Sequence, residues 1–200
     1  MPKIVDHEAR RAEITEVAVR LISEGGMEVA TIREIATQSG YSKGVVEHYF
    51  DGKEELISAA LGLVNIRYGE RAEQVNNTLR GLAAIREFLR ITLPMTPELR
   101  SEWKVRLVFW SLAATDPSLR QQQGQRFEKA VEQFAHLFQQ AVEDGEIALR
   151  ETPEVMGRRI VNTVSGMSVA ALHSDTFGDE AFLEQEIDAL MDELSGGRAS

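Results

Sequence analysis

The chain has 200 residues, 43% of them hydrophobic and 6% aromatic, with a formal net charge of −10; this describes a globular chain long enough for one larger core or two small ones. It contains no cysteine, which excludes disulfide scaffolds, thiolate zinc sites and cysteine nucleophiles. The negative balance excludes a surface coated in basic groups for non-specific nucleic-acid binding.

No stretch approaches the roughly 20 apolar residues of a spanning helix. The N-terminal Met-Pro-Lys-Ile-Val-Asp-His-Glu has no apolar core before a cleavage site, so a cytoplasmic protein with no membrane partner is expected. Ile14, Val17, Ala18, Leu21 and Ile22 repeat at helical spacing and lay one apolar stripe on a first helix. Gly25-Gly26 is expected to end it. Thr31-Ile-Arg-Glu34 reads as a capping box opening a short second helix that turns Ile32, Ile35 and Ala36 inward. Gly40 closes that helix, and Ser42 can cap a third that runs from Lys43 to Phe50 and stops at Asp51-Gly52. Helix, tight glycine turn, helix is the pattern of a helix-turn-helix.

A fourth helix is expected from about Lys53, carrying Leu56, Ile57, Ala60, Leu61 and Val64. Helical patterns follow near residues 78–93, 98–115, 118–144, 153–174 and 180–194. Pro94, Pro97, Asp116-Pro117, Gly145, Thr152-Pro153 and Gly178 punctuate them, and residues 195–200 are expected to fray. No period-two alternation supports a strand. The fold class is therefore all-α. An N-terminal three-helix domain over 1–53 is expected to be DNA-binding, and the helical domain that follows over 54–200 is expected to bind ligand and dimerise.

The outer face of the third helix offers Lys43, Gly44, Val45, Glu47 and His48 to base edges, and Gly44 lets the backbone approach closely. Arg33 and Lys53 are placed to meet phosphates on either side, while Val46 and Phe50 anchor the helix inward. Residues 1–53 carry seven Lys or Arg against nine Asp or Glu, so a few well-placed cations must hold DNA, with weak binding and a shallow salt slope.

Thr31-Ile-Arg-Glu-Ile-Ala, then Gly40-Tyr-Ser-Lys-Gly-Val-Val-Glu-His-Tyr-Phe50, then Lys53-Glu-Glu-Leu56 resembles the DNA-binding domain of the TetR family of repressors. The resemblance implies that Thr31, Arg33, Ser42, Lys43, Gly44, Val45, His48, Tyr49 and Lys53 contact double-stranded operator DNA. Glu47 departs from the pattern, because many members have tyrosine there. A carboxylate facing phosphates is repelled, so Glu47 either accepts from a cytosine amino group or points away. Glu102-Trp-Lys-Val-Arg-Leu-Val-Phe-Trp110, Ala114-Thr-Asp-Pro-Ser-Leu119 and Val164-Ser-Gly-Met are similar to the C-terminal domain of betaine-synthesis (BetI) type repressors, as is the N-terminal Pro2-Lys-Ile-Val-Asp-His-Glu-Ala-Arg-Arg11.

In the second part, Trp103, Leu107, Trp110 and Ala114 share one helix face, and Phe127, Val131, Phe134, Phe138 and Val142 share another. A small-molecule effector is expected among Trp103, Trp110, Phe134 and Phe138, and an organic cation suits their ring quadrupoles. Glu102 or His136 adds polarity. The alternative is an ordinary aromatic core. Small residues at Val161, Val164, Ser165, Ser168 and Ala171, with Leu183, Ile187, Leu190 and Leu194, are expected to form a four-helix bundle in a homodimer. No cofactor or metal is expected.

An enzyme is disfavoured: the four histidines are scattered, no H-E-x-x-H or G-x-S-x-G occurs, and the carboxylate pairs sit at helix starts. A helical protein-binding adaptor without DNA binding is the remaining alternative to a ligand-responsive repressor released from a palindromic operator.

Overall fold

The structure is a computed structural model that describes residues 7–196. Pro2 to Asp6 of the N-terminal resemblance and the last four residues of the segment expected to fray lie outside that range. Among the described residues the secondary structure is entirely helical: α1 (His7–Val29), α2 (Ile32–Ser39), α3 (Lys43–Tyr49), α4 (Gly52–Thr78), α5 (Gly81–Thr92), α6 (Pro97–Ala113), α7 (Pro117–Glu143), α8 (Pro153–His173) and α9 (Glu180–Gly196). None of these is long and apolar enough to cross a membrane.

The chain forms two compact units. One comprises residues up to Arg67 with Ser101–Leu112, the other Tyr68–Arg100 with the chain from Ala113 onward. Neither is a single stretch, because α4 and α6 each contribute residues to both.

In the first unit α1 and α3 pack on α2. Ile14, Ala18, Leu21, Ile22, Ile35, Val46 and Phe50 are buried there, the expected anchoring set, and each large side chain contributes about 1.5–3 kcal/mol by leaving water. The regular first helix breaks at Gly25-Gly26, as expected. Gly26 takes φ 66, ψ −161 and kinks the chain, and about one further turn follows to Val29.

At α2 half of the expected capping box forms. Thr31 Oγ1 accepts from the Glu34 amide at 3.1 Å. The Thr31 amide already donates to the Val29 carbonyl at 2.7 Å, so the Glu34 carboxylate instead accepts from Gln38 Nε2 at 3.0 Å. Gly40 closes the helix at φ 73, and Ser42 Oγ caps α3 by accepting from Val45.

In the second unit α7 and α8 form the most extensive pair, with α5 on α7 and α9 on α5. The pair approaches closely at Gly157, where a Cβ would stand 2.6 Å from the Val131 carbonyl oxygen and 3.0 Å from the Ala135 nitrogen. Ile85, Phe88, Phe138, Ile160, Leu183 and Ile187 fill the core.

α5 starts at Gly81, not near residue 78, because α4 continues to Thr78 and Arg80 offers no side-chain cap. Its amides are taken by distant groups: Leu82 donates to Glu146 at 2.7 Å, and Gly81 to Gln140 at 3.3 Å. Along α9, Glu184 accepts from Arg90 Nε at 3.1 Å, and Asp188 lies 2.6 Å from Arg86.

The stripes expected to face a partner subunit are largely covered within the chain. Val161, Val164, Ser168, Ala171, Leu183 and Ile187 are all under 9% exposed. The open face of α8 is the opposite one, carrying Arg159, Asn162, Gly166 and His173.

Candidate nucleic-acid interface

Burying Val46 and Phe50 leaves Ser42, Lys43, Gly44, Glu47 and His48 exposed, with Val45 and Tyr49 half-buried. A seven-residue helix held by two apolar residues four apart must present the other side outward. Glycine in a helix costs about 0.5–1 kcal/mol relative to alanine, and nothing lies within 4 Å of where a Gly44 Cβ would stand. Gly62, Gly69, Gly124 and Gly166 are equally open, so openness alone assigns nothing. At Gly44 it matters because the residue lies on the outward face beside Lys43 and Glu47.

Thr31 and Ser42 are exposed caps. A capping hydroxyl accepts through a lone pair and keeps its own proton to donate outward. Arg33 and Lys53 are exposed and make no ion pair among the described residues. Several cations nearby do have partners. Lys43 Nζ lies 3.0 Å from Glu47 Oε1 one turn along α3, Arg11 lies 3.3 Å from Glu55, and Arg67 pairs with Glu16 at 2.6 Å. Glu47 therefore engages Lys43, an arrangement that the i, i+4 spacing already held.

Three ties to α1 were not read from the sequence. The Tyr49 hydroxyl and His7 Nδ1 share a hydrogen bond of 3.0 Å, and the His48 ring meets Tyr49 edge-on at 5.5 Å. The Tyr41 hydroxyl donates to Glu13, which raises the tyrosine's pKa above its ordinary value, while Arg10 stacks over the ring at 5.7 Å. Arg11 lies over Phe50 at 4.9 Å. No local signal marks these contacts, since each joins α1 to residues about 30 to 40 positions later.

The four aromatic residues expected to hold an effector divide between the units. Trp103 and Trp110 pack edge to face at 5.5 Å in the first. The Arg106 guanidinium lies 5.4 Å from the Trp103 ring centre and 3.5 Å from the buried Glu102 carboxylate. In the second unit Phe134 packs edge-on against Phe88 at 6.0 Å, and Phe138 is fully buried. Two cavities of that unit are lined by other residues. A cleft of about 570 Å³ between α7 and α8 includes Phe127, Val131, Arg158 and Ser165, and one of about 500 Å³ includes Gln133 and His136.

Residues 14–60 match the family described as bacterial regulatory proteins, tetR family, and residues 81–195 match the BetI-type transcriptional repressor, C-terminal family. The chain is 40% identical over 97 residues to the HTH-type transcriptional regulator PksA of Bacillus subtilis (strain 168), covering 48% of this chain and 46% of that protein. It is 28% identical over 127 residues to the regulator BetI 1 of Chromohalobacter salexigens, covering 62% of each. These matches span about half to three fifths of the relatives' lengths.

Two solved structures share the fold. A transcriptional regulator from Rhodococcus sp. Rha1 has a TM-score of 0.80 at 24% identity, over 94% of this chain and 96% of that one. A regulator from Saccharomonospora viridis in complex with choline has a TM-score of 0.82 at 20% identity, over 92% and 96%. The helix-turn-helix and the helical region after it thus both carry matched sequence, and the chain belongs to the TetR family of helix-turn-helix transcriptional regulators, with a BetI-type C-terminal domain.

Proposed function

We propose that this chain is a cytoplasmic, ligand-responsive repressor that binds a palindromic operator as a homodimer and is released by a small organic cation. The observation that carries the DNA-reading part is two exposed cations, Arg33 and Lys53, that make no ion pair among the described residues and flank the outward face of α3 in a chain of net charge −10. Thr31, Ser42, Gly44, Val45, His48 and Tyr49 complete the contact set, and residues 1–53 act as the reading head for an effector and dimer region over 54–200. Phosphates fix register while the outward face of α3 reads bases.

The test is binding to the chain's own upstream DNA across a salt series. Lys53→Ala should weaken specific and random duplexes alike and reduce the salt slope by about one. Failure of wild type to prefer any upstream duplex over random DNA would sink the reading.

A head with so few cations needs two half-sites. The outward face of α8, with Gly166 open between Asn162 and Ala170, supports close approach of a second copy. Gly166→Leu should lower dimer content in sedimentation, and a wild-type monomer at micromolar concentration would overturn the dimer.

For the effector, the choline bound to the Saccharomonospora viridis relative supports an organic cation, with Trp103, Trp110, Phe134 and Phe138 as proposed contacts. A ligand preferring the released state by about 2 kcal/mol lowers operator affinity about 30-fold. Choline, titrated by tryptophan fluorescence alongside operator binding, is the first probe. If a releasing ligand binds Trp110→Ala and Phe134→Ala as tightly as wild type, these residues are not its site.

A further inference from the structure

We propose that Lys43 and Glu47 act as one unit that reads a single G·C base pair in each half-site, Lys43 on the guanine and Glu47 on the cytosine. The inference rests on the DNA-reading role proposed above for α3. Its starting point is the ion pair: Lys43 Nζ and Glu47 Oε1 stand 3.0 Å apart, with both side chains about half or more exposed.

A lone carboxylate on a reading face would be repelled by phosphates. Paired with an ammonium it enters the groove as a neutral donor–acceptor dipole. In the major groove a G·C pair shows guanine O6 as acceptor beside the cytosine N4 amino group as donor. These two atoms are hydrogen-bonded to each other and so stand roughly 2.9 Å apart. The protein therefore offers a donor and an acceptor at nearly the spacing at which the base pair offers their complements. Lys43 can donate to O6 while N4 donates to Glu47, closing a four-membered ring of contacts.

The same chemistry ranks the other pairs. C·G and A·T present the opposite polarity, amino group to ammonium and carbonyl to carboxylate. T·A has the right polarity, but a methyl group sits beside the ammonium where guanine has the second acceptor N7, and adenine N7 faces the carboxylate. The order is G·C, then T·A, then the two reversed pairs.

Gly44 stands next to Lys43 on this face with empty space in place of a side chain, which lets the pair come down to the base edges. Exposed i, i+4 ion pairs are weak, so the pair adjusts its tilt to the base edges at little cost while keeping its spacing.

The experiment selects duplexes from a random pool with full-length wild type, Glu47→Gln, Lys43→Met and the double variant. It then measures anisotropy on the selected operator with each base pair replaced in turn, at one fixed salt concentration. Wild type should show one position per half-site ranked G·C, T·A, then the reversed pairs. Either single substitution should cut discrimination at that position about tenfold and leave the other positions unchanged. The second substitution should add little to the first, and thermal melts should overlay wild type because both residues are exposed.

If Glu47→Gln tightens binding to every duplex by one factor and leaves sequence preference intact, Glu47 is only a repelling charge and the inference is overturned. It is overturned equally if the two substitutions alter different positions. A wild type that selects no sequence sinks the DNA-reading role itself.

Discussion

In the reading head, the helix caps join groups three residues apart: Thr31 with Glu34, and Ser42 with Val45. The second unit caps α7, α8 and α9 in the same way, Asp116 with Leu119, Thr152 with Val155 and Asp179 with Phe182, but α5 has no side-chain cap of its own, and its start is held from across the chain. The α5 amide of Leu82 finds Glu146 64 residues on, Arg90 finds Glu184 94 residues on, and Arg100 donates to the Ala171 carbonyl 71 residues on. The head must hold a fixed outward face for an external partner, and short-range caps fix a helix end without depending on distant packing. The second unit adds to its local caps ties over 64 to 94 residues, against 51 for Arg67 with Glu16 in the head.

The contrast is sharp at the close contact of α7 with α8. Gly157→Ala places a methyl group 2.6 Å from the Val131 carbonyl oxygen, and neither helix backbone can yield without disturbing the α7–α8 pair. The expected loss is about 3 kcal/mol by urea unfolding. An unchanged midpoint would show that the two helices do not meet there. Next in size is Glu184→Gln, which removes the charge shared by Arg86 and Arg90. The hydrogen bonds to Glu184 hold the Arg90 guanidinium above its ordinary pKa. Arg86 and Glu184 are about a third exposed and Arg90 is 41% exposed, so solvent screens the effect to about 1 kcal/mol. No loss would place the hold on α9 in its apolar face alone.

The same contrast explains what could be read from the residues. Thr31, Gly40, Ser42 and Asp51-Gly52 marked the ends of α2 and α3 because each acts on its own neighbours. Val46 and Phe50 marked the buried side of α3 because a four-residue spacing selects one face. The start of α5 was misplaced because its cap is a carboxylate from beyond α7. The stripe from Val161 to Ala171 was assigned to a partner subunit because periodicity identifies an apolar face and not the element that covers it. The tie of His7 to Tyr49 had no local mark. Arg106 over Trp103 also went unread, although the two lie three residues apart on one helix.

Gly44→Ala tests the contrast from the other side. Nothing in the chain opposes a methyl group at this position, so the head should gain up to about 1 kcal/mol in stability by helix propensity while operator affinity falls. Gly157 in the packed unit would show the reverse, with stability lost first. A Gly44→Ala protein that binds operator as well as wild type would remove the case for close approach at this face.

The smallest expected effect concerns the turn after α3. The Asp51 amide donates to Glu55 Oε2 at 2.7 Å, and Arg11 lies 3.3 Å from the other oxygen. The amide first and then the arginine hold the Glu55 carboxyl below its ordinary pKa, against the opposing effect of partial burial. A carboxyl group depressed in the folded state stabilises the fold above its unfolded pKa, and that contribution disappears as pH falls through the folded value. Stability conferred by Glu55 should therefore be complete at pH 7 and decline below about pH 4.5. Because 43% of the side chain is exposed, screening limits the effect to about 0.5 kcal/mol or less. Glu55→Gln keeps an acceptor for the Asp51 amide and loses only the charge, so the variant should unfold nearly like wild type at pH 3 and slightly more easily at pH 7. Urea melts at the two pH values measure the difference. If wild type and variant differ equally at both, the carboxylate's charge does not act here, and the turn that precedes Lys53 is held by its neutral hydrogen bond alone.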